Sequence, residues 1–280
     1  MREITRELVS TLLPPRPKTS HKGDFGRVLV LAGSAGYSGA AAFCALAAVR
    51  GGAGLTRAGV PEVIWNQVAA QAPECMCFPL PCDREGRLSA GALDWALDNA
   101  GRSDVTVCGP GLGRSACLET LVGALTALDK PLILDADGIN NLRGHILNCP
   151  LVLTPHEGEF ARAGGGLGDG REAGGEAFIK KVPCVLVLKG HRTLVFAPGE
   201  ETRENTTGGP GLSKGGSGDV LAGLIAALTA QGLRPFDAAT AGVYLHGLAG
   251  DICEEEIGER GMTASDLLLA IPKALRQTGG

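Results

Sequence analysis

Short apolar runs recur along this 280-residue chain, and each gives way to glycine or polar residues before a helix-forming stretch. The first is Arg27 to Ala32, RVLVLA; others are Leu55 to Val60, Asp104 to Cys108, Pro131 to Leu134, Leu151 to Leu153 and Cys184 to Leu188. A strand that is apolar at successive positions is covered on both faces. Strands of that kind, separated by helices, predict a mostly parallel sheet between two helical layers, a three-layer αβα fold. Ligands of such sheets gather at the carboxyl ends of the strands. The glycine and polar motifs of this chain fall at those ends, after Ala32, Cys108, Leu134, Leu153 and Leu188.

Between the runs, a short first helix lies within Met1 to Leu13, and Pro14, Pro15 and Pro17 make an irregular lead-in. An Ala-rich helix is predicted over Gly39 to Arg50, with Gly51 to Gly54 as its stop. Pro61 is placed in the first turn of another helix. A further helix is expected from about Arg114 to Leu128. Thr193 to Ala197 reads as the hairpin partner of Cys184 to Leu188. Gly164 to Gly175 reads as a loop, and the last third as helical from Ser217 onward. With no linker, repeat or charge block to divide it, the chain is expected to form one domain over 1–280.

Composition narrows the partners. A net charge of -4 supplies neither a basic face for nucleic acid nor a polybasic membrane signal. No apolar run has membrane-spanning length, and Met1 to Leu13 lacks the apolar centre of a signal peptide. The nine cysteines include no CxxC pair and read as reduced and buried, which points to the cytoplasm. Cys75, Cys77 and Cys82 have no matching ligand that would complete a soft-metal site. Small, apolar helices suggest a homo-oligomer, with a tetramer as one form.

The segment with most chemistry runs from Asn205 to Asp219, NTTGGPGLSKGGSGD. Val220, Leu221, Leu224, Ile225 and Leu228 follow at helical spacing, so Gly215, Gly216, Ser217 and Gly218 lie at a helix N-terminus. Free amides and the helix dipole favour an anion there, and glycine admits phosphate oxygens close to the backbone. Asp219 is out of place beside an anion site unless its carboxylate works as a general base. The structural alternative is a glycine-rich loop with Ser217 or Asp219 as an ordinary N-cap. The segment is not a Walker A loop, because no GxxxxGK[ST] occurs in the chain.

Other strand ends add candidates. Gly33 to Gly39 has GxxGxxG spacing, a weak dinucleotide signal. Gly109, Gly111 and Gly113 belong to a GPGLG turn. His156 stands beside Glu157 and Glu159; it reads either as a substrate contact, with an acid orienting magnesium through water, or as part of an acidic helix start. Lys189, Gly190, His191, Arg192 and Thr193 form either a nucleotide contact or a plain hairpin turn. Asp135 and Asp137 cap a helix or sit near phosphates. His246 reads as a core histidine, and His21 and His145 carry no assignment.

Taken in order, HKGDFGRVLVLAGS (His21 to Ser34), YSGAA (Tyr37 to Ala41), GPGLGR (Gly109 to Arg114), LDADGIN (Leu134 to Asn140), TPHEGEF (Thr154 to Phe160), LKGHRT (Leu188 to Thr193) and GGSGDVLAG (Gly215 to Gly223) resemble the ADP-dependent NAD(P)H-hydrate dehydratases of the ribokinase-like superfamily. The resemblance covers nearly the whole chain. It implies dehydration of the S epimer of hydrated NADH or NADPH, with ADP giving AMP and phosphate. ADP or ATP would be the co-substrate and Mg2+ the cofactor. It implies that Ala40, the Gly109 to Gly113 turn, His156 and Asp219 face the hydrated nucleotide, with Asp219 as the catalytic base. Lys189 to Thr193 and Gly215 to Gly218 would hold the adenine nucleotide, and Glu159 would meet the metal through water.

The family often fuses this unit to an epimerase domain, and none is expected here. The chain departs from the family's GNPGMATGG at Gly209, Leu212 and Lys214. That places the added Lys214 charge near phosphates, where it would bear on the choice between ADP and ATP. The alternative function is a ribokinase-like small-molecule kinase of the hydroxyethylthiazole type.

Overall fold

The computed structural model describes residues 1–143 and 148–279, so His145 lies outside the described residues. Its first half comprises β1 (Arg2–Glu3), α1 (Arg6–Leu12), β2 (Arg27–Leu31), α2 (Ser38–Arg50), β3 (Leu55–Pro61), α3 (Trp65–Gln71), β4 (Met76–Leu80), α4 (Leu93–Arg102), β5 (Val105–Cys108) and α5 (Ala116–Thr126). It continues with β6 (Leu132–Leu134), α6 (Asp137–Asn140), β7 (Leu151–Leu153), α7 (Glu157–Arg162), α8 (Arg171–Lys181), β8 (Val185–Leu188), β9 (Leu194–Phe196) and β10 (Arg203–Glu204). Three helices close the chain: α9 (Ser217–Ala230), α10 (Pro235–Glu256) and α11 (Ala264–Gln277).

The ten strands of the described residues join one sheet in the order β1-β10-β9-β8-β7-β6-β5-β2-β3-β4. From β4 across to β8 every pairing is parallel; β8–β9 and β9–β10 are antiparallel, and β10–β1 is parallel again. The chain winds one way from β2 through β3 to β4 and the other way from β5 to β8. The switch between β2 and β5 opens a crevice at their carboxyl ends, where such folds bind ligands.

The strands sort their side chains by shape. Val28, Val30, Val105, Val107, Ile133, Val152, Val185 and Val187 share one buried cluster with the small residues of α2, α9 and α10. Leu29, Leu31, Leu132, Leu134, Leu151, Leu153, Leu186 and Leu188 belong to a second cluster with α4, α5 and α8. The period-2 pleat sends neighbours to opposite faces. Short β-branched side chains suit the small residues of the helices on that side, and leucines fill the face opposite. On the valine side Gly223 of α9 lies so near α2 that a Cβ there would collide with the Cys44 carbonyl.

Three local expectations change. Pro61 ends β3 instead of opening a helix; a 3-10 turn over Glu62–Ile64 follows, and only then α3. The expected loop of Gly164 to Gly175 runs into α8, which begins at Arg171. β4, β10 and β1 are strands that the apolar runs did not signal. The hairpin of β8 with β9 and the helical last third stand as read.

Candidate active site

Gly216 supplies the left-handed backbone (φ 93°) that turns the glycine-rich segment into α9, so the N-cap is neither Ser217 nor Asp219. Ser217 is the first helical residue and is buried. The His246 Nε2–H donates to its carbonyl (2.9 Å), and Nε2 also lies 3.2 Å from its hydroxyl. Burial pushes the His246 pKa down to about 4, so the ring is neutral. His246 is thus a core histidine, as read, with the added task of fixing the start of α9.

The first half of the loop is held by carboxylates of α10. The Gly208 amide donates to Asp251 and the Gly211 amide to Glu254, each at 2.9 Å. The Lys214 ammonium donates to the carbonyls of Arg260 and Met262, both at 2.6 Å, and the residue stands in the wall of a cleft. Farther on, the amides of Gly215, Gly216, Gly218 and Asp219 donate to no protein acceptor among the described residues. That is the donor set of an anion site at a helix N-terminus.

Asp219 shares its surroundings with a buried charge cluster. The Lys189 ammonium donates to Asp135 Oδ1 at 2.8 Å, and Glu159 Oε2 lies 3.9 Å from it. Thr154 Oγ1 also donates to Asp135 Oδ1, at 2.7 Å. A Cβ on Gly218 would stand 3.3 Å from Lys189 Nζ and 3.9 Å from Asp135 Oδ2, which locates the cluster directly under the start of α9. Burial, then the like charge of Asp135, raises the Asp219 pKa to about 7, against a lowering pull from Lys189. For Lys189, burial opposes the charge, but Asp135 and Glu159 outweigh it and raise the pKa. A carboxyl that exchanges its proton near neutrality is suited to general-base work.

A cleft of about 670 Å³ opens on one side of this cluster. Lys189, Gly190, His191, Arg192 and Thr193 line it together with His156, Gly215, Ser217 and Gly218. The amides of Gly190 to Thr193 find no protein acceptor among the described residues, and these residues line the same cleft. His156 pairs with Lys189 in a parallel bridge. It caps α7: its Nδ1 accepts from the Gly158 (3.0 Å) and Glu159 (3.3 Å) amides, and Glu159 accepts from the His156 amide (3.0 Å). The helix-start reading of this segment therefore holds, and the ring's other nitrogen, Nε2, lies 3.5 Å from Glu159 Oε1.

Ala40 and the Gly109 to Gly113 turn lie on the other side, at the switch point. The Ser34 hydroxyl donates to the Gly111 carbonyl (2.7 Å), and the Gly33 amide to the Pro110 carbonyl (2.8 Å). A Cβ at Gly111 would stand 3.0 Å from that of Ala40, so these two predicted residues meet. Asp137 accepts from the Gly113 amide at 2.9 Å and so supports the turn. Gly109 packs on the Asp135 carbonyl, where a side chain has no room. Asp135 thus touches both halves, and the structure groups His156 with the cleft, apart from Ala40. The sequence motifs signalled Asp219 and the two glycine turns, but not the pairing of Asp135 with Lys189, 54 positions apart. No group of three His, Cys, Asp or Glu side chains able to hold a metal occurs among the described residues.

The family model for NAD(P)H-hydrate dehydratase matches residues 28–273. The ADP-dependent (S)-NAD(P)H-hydrate dehydratase of Neisseria meningitidis is 39% identical over 279 residues, covering 91% of this chain and 88% of that protein. The bifunctional NAD(P)H-hydrate repair enzyme of Moorella thermoacetica is 40% identical over 285 residues, 98% of this chain and 54% of that protein. The chain therefore spans about half the length of the bifunctional relatives it matches. Among solved structures, the ADP/ATP-dependent NAD(P)H-hydrate dehydratase of Bacillus subtilis, co-crystallised with ATP/Mg2+, superposes with a TM-score of 0.86 at 29% identity, covering 99% of this chain and 98% of that one. A model match over most of the chain, joined to that Neisseria relative, makes this chain a member of the NAD(P)H-hydrate dehydratase family.

Proposed function

We propose that this chain uses ADP to dehydrate the S epimer of hydrated NADH and NADPH, restoring NADH and NADPH and releasing AMP and phosphate. The observation that carries the reading is Asp219, a carboxyl with a pKa of about 7 set at the free amides of a helix N-terminus. In this reading Asp219 takes the proton of the ring hydroxyl as its oxygen attacks the terminal phosphoryl group of ADP, and AMP departs. The amides of Gly215, Gly216 and Gly218 hold the charge of the migrating group. The ring nitrogen lone pair then expels phosphate, a far better leaving group than hydroxide, and the resulting iminium ion loses a proton from the adjacent ring carbon to solvent, which restores the reduced nicotinamide ring.

Lys189 to Thr193 hold the adenine nucleotide in the cleft. Ala40, Gly109, Gly111 and Gly113 receive the hydrated nucleotide, and His156 reaches it from the cleft edge. Glu159 and Asp219 present hard carboxylate oxygens, which fit Mg2+ bound mainly by phosphates and water. They would hold it through water, and the ion would offset phosphate charge. We assign the protein to the cytoplasm, which its nine free cysteines support, and to a homo-oligomer.

Hydrated NADH or NADPH incubated with ADP or ATP tests the reading by return of the reduced-nicotinamide absorbance. Wild-type protein restores it, and Asp219→Asn lowers the rate by about 10²- to 10⁴-fold. A phosphorylated product that accumulates without recovery of absorbance would instead identify a kinase.

A further inference from the structure

Arg171 opens α8, in the segment that reads as a loop, and its guanidinium reaches under the turn between β8 and β9. One terminal nitrogen, Nη1, donates to the carbonyls of His191 (2.6 Å) and Arg192 (3.1 Å). The other, Nη2, donates to the Leu188 carbonyl at 2.8 Å. Its Nε lies 3.2 Å from Glu157, an ionic contact without a directed hydrogen bond. A Cβ at Gly190 would come within 2.9 Å of Nη2, so glycine leaves the guanidinium room to close on the turn. Arg192 is in the left-handed region (φ 58°), a conformation that needs support in a residue with a side chain.

These contacts divide the turn by polarity. The carbonyls of Leu188, His191 and Arg192 are gathered onto one half-buried cation, while the amides of Gly190 to Thr193 stay without protein acceptors among the described residues in the cleft wall. Carbonyl oxygens released into the cleft would repel an anion; held by Arg171, they leave the amides as the exposed pole. A lysine, with a point charge in place of a planar fork, does not span three carbonyls. Glu157 extends the link to the loop that carries His156.

We propose that Arg171 is a positioning residue for the nucleotide. It locks the β8–β9 turn with its amides toward the cleft and makes nucleotide affinity depend on a side chain that does not line the cleft. The inference rests on the reading that this turn binds the adenine nucleotide.

The experiment compares wild type with Arg171→Ala and Arg171→Lys by calorimetric ADP binding, by KM for ADP and kcat in the dehydration assay, and by melting temperature. Arg171→Ala is expected to weaken ADP binding and raise KM for ADP about tenfold, the loss of one to two charge-assisted contacts, with kcat within about twofold. Arg171→Lys should fall between, and added guanidinium ion should restore part of the ADP affinity of Arg171→Ala. Wild-type affinity in Arg171→Ala overturns the inference. So does a fall in kcat and melting temperature in both variants with KM for ADP unmoved. Wild-type protein that binds no ADP overturns the nucleotide reading of the turn, and this inference with it.

Discussion

At the scale of single residues, Asp219 is governed by charges of both signs. Burial and the Asp135 carboxylate favour its protonated form, and the Lys189 ammonium favours the ionised one. A general base works only when ionised, so kcat/KM should climb with pH through a midpoint near 7 and level off above it. The two neighbours move the Asp219 titration in opposite directions. In Asp135→Asn a like charge is lost and the midpoint falls; in Lys189→Met an opposite charge is lost and it rises. Carboxyl-carbon NMR of the nucleotide-free protein follows both, independently of turnover. Equal midpoints in the two variants would refute the cluster as the source of the shift. Asp219 itself was readable in the sequence, because a carboxylate beside an anion loop is chemically odd wherever the loop lies. Asp135 was not, because its partner Lys189 arrives only when β6 and β8 are brought side by side around β7.

At the scale of elements, α9 and α2 are in backbone contact where Gly223 meets Cys44. Gly223→Ala forces them apart. The expected result is a loss of about 1–3 kcal/mol in stability, read from denaturant melts. Activity should fall with it, since α2 carries Ala40 and α9 carries Asp219. Strands buried on both faces, such as β2 and β5 to β8, announced themselves by unbroken apolar runs. β4 did not: it is the edge strand, its Met76 and Phe78 are exposed, and Pro79 interrupts it. α8 was hidden by Gly174 and Gly175, which read as breakers. In the fold Gly175 is pressed by the Phe196 ring, so its lack of a side chain serves packing that no local pattern displays.

At the scale of the whole molecule, the switch point and the cleft stand on two sides of one charge cluster, served by loops from β2, β5, β6, β7 and β8 and by the start of α9. A ligand in the cleft therefore joins segments far apart in the chain. ADP at about 100-fold its Kd should add about 2.7 kcal/mol to stability and raise the melting temperature by roughly 5–10 °C. No such rise in wild-type protein would count against the nucleotide cleft. The sheet's division into a valine face and a leucine face has its own consequence for how such a chain can drift over generations. On the leucine side, the larger side chains of α5 and α8 can trade volume with one another before any displacement reaches the start of α9. On the valine side, helices of alanine and glycine have no slack, and an added methyl passes straight to the start of α9. Inherited variation should therefore accumulate behind the leucines, leaving the valine side as the older part of the record.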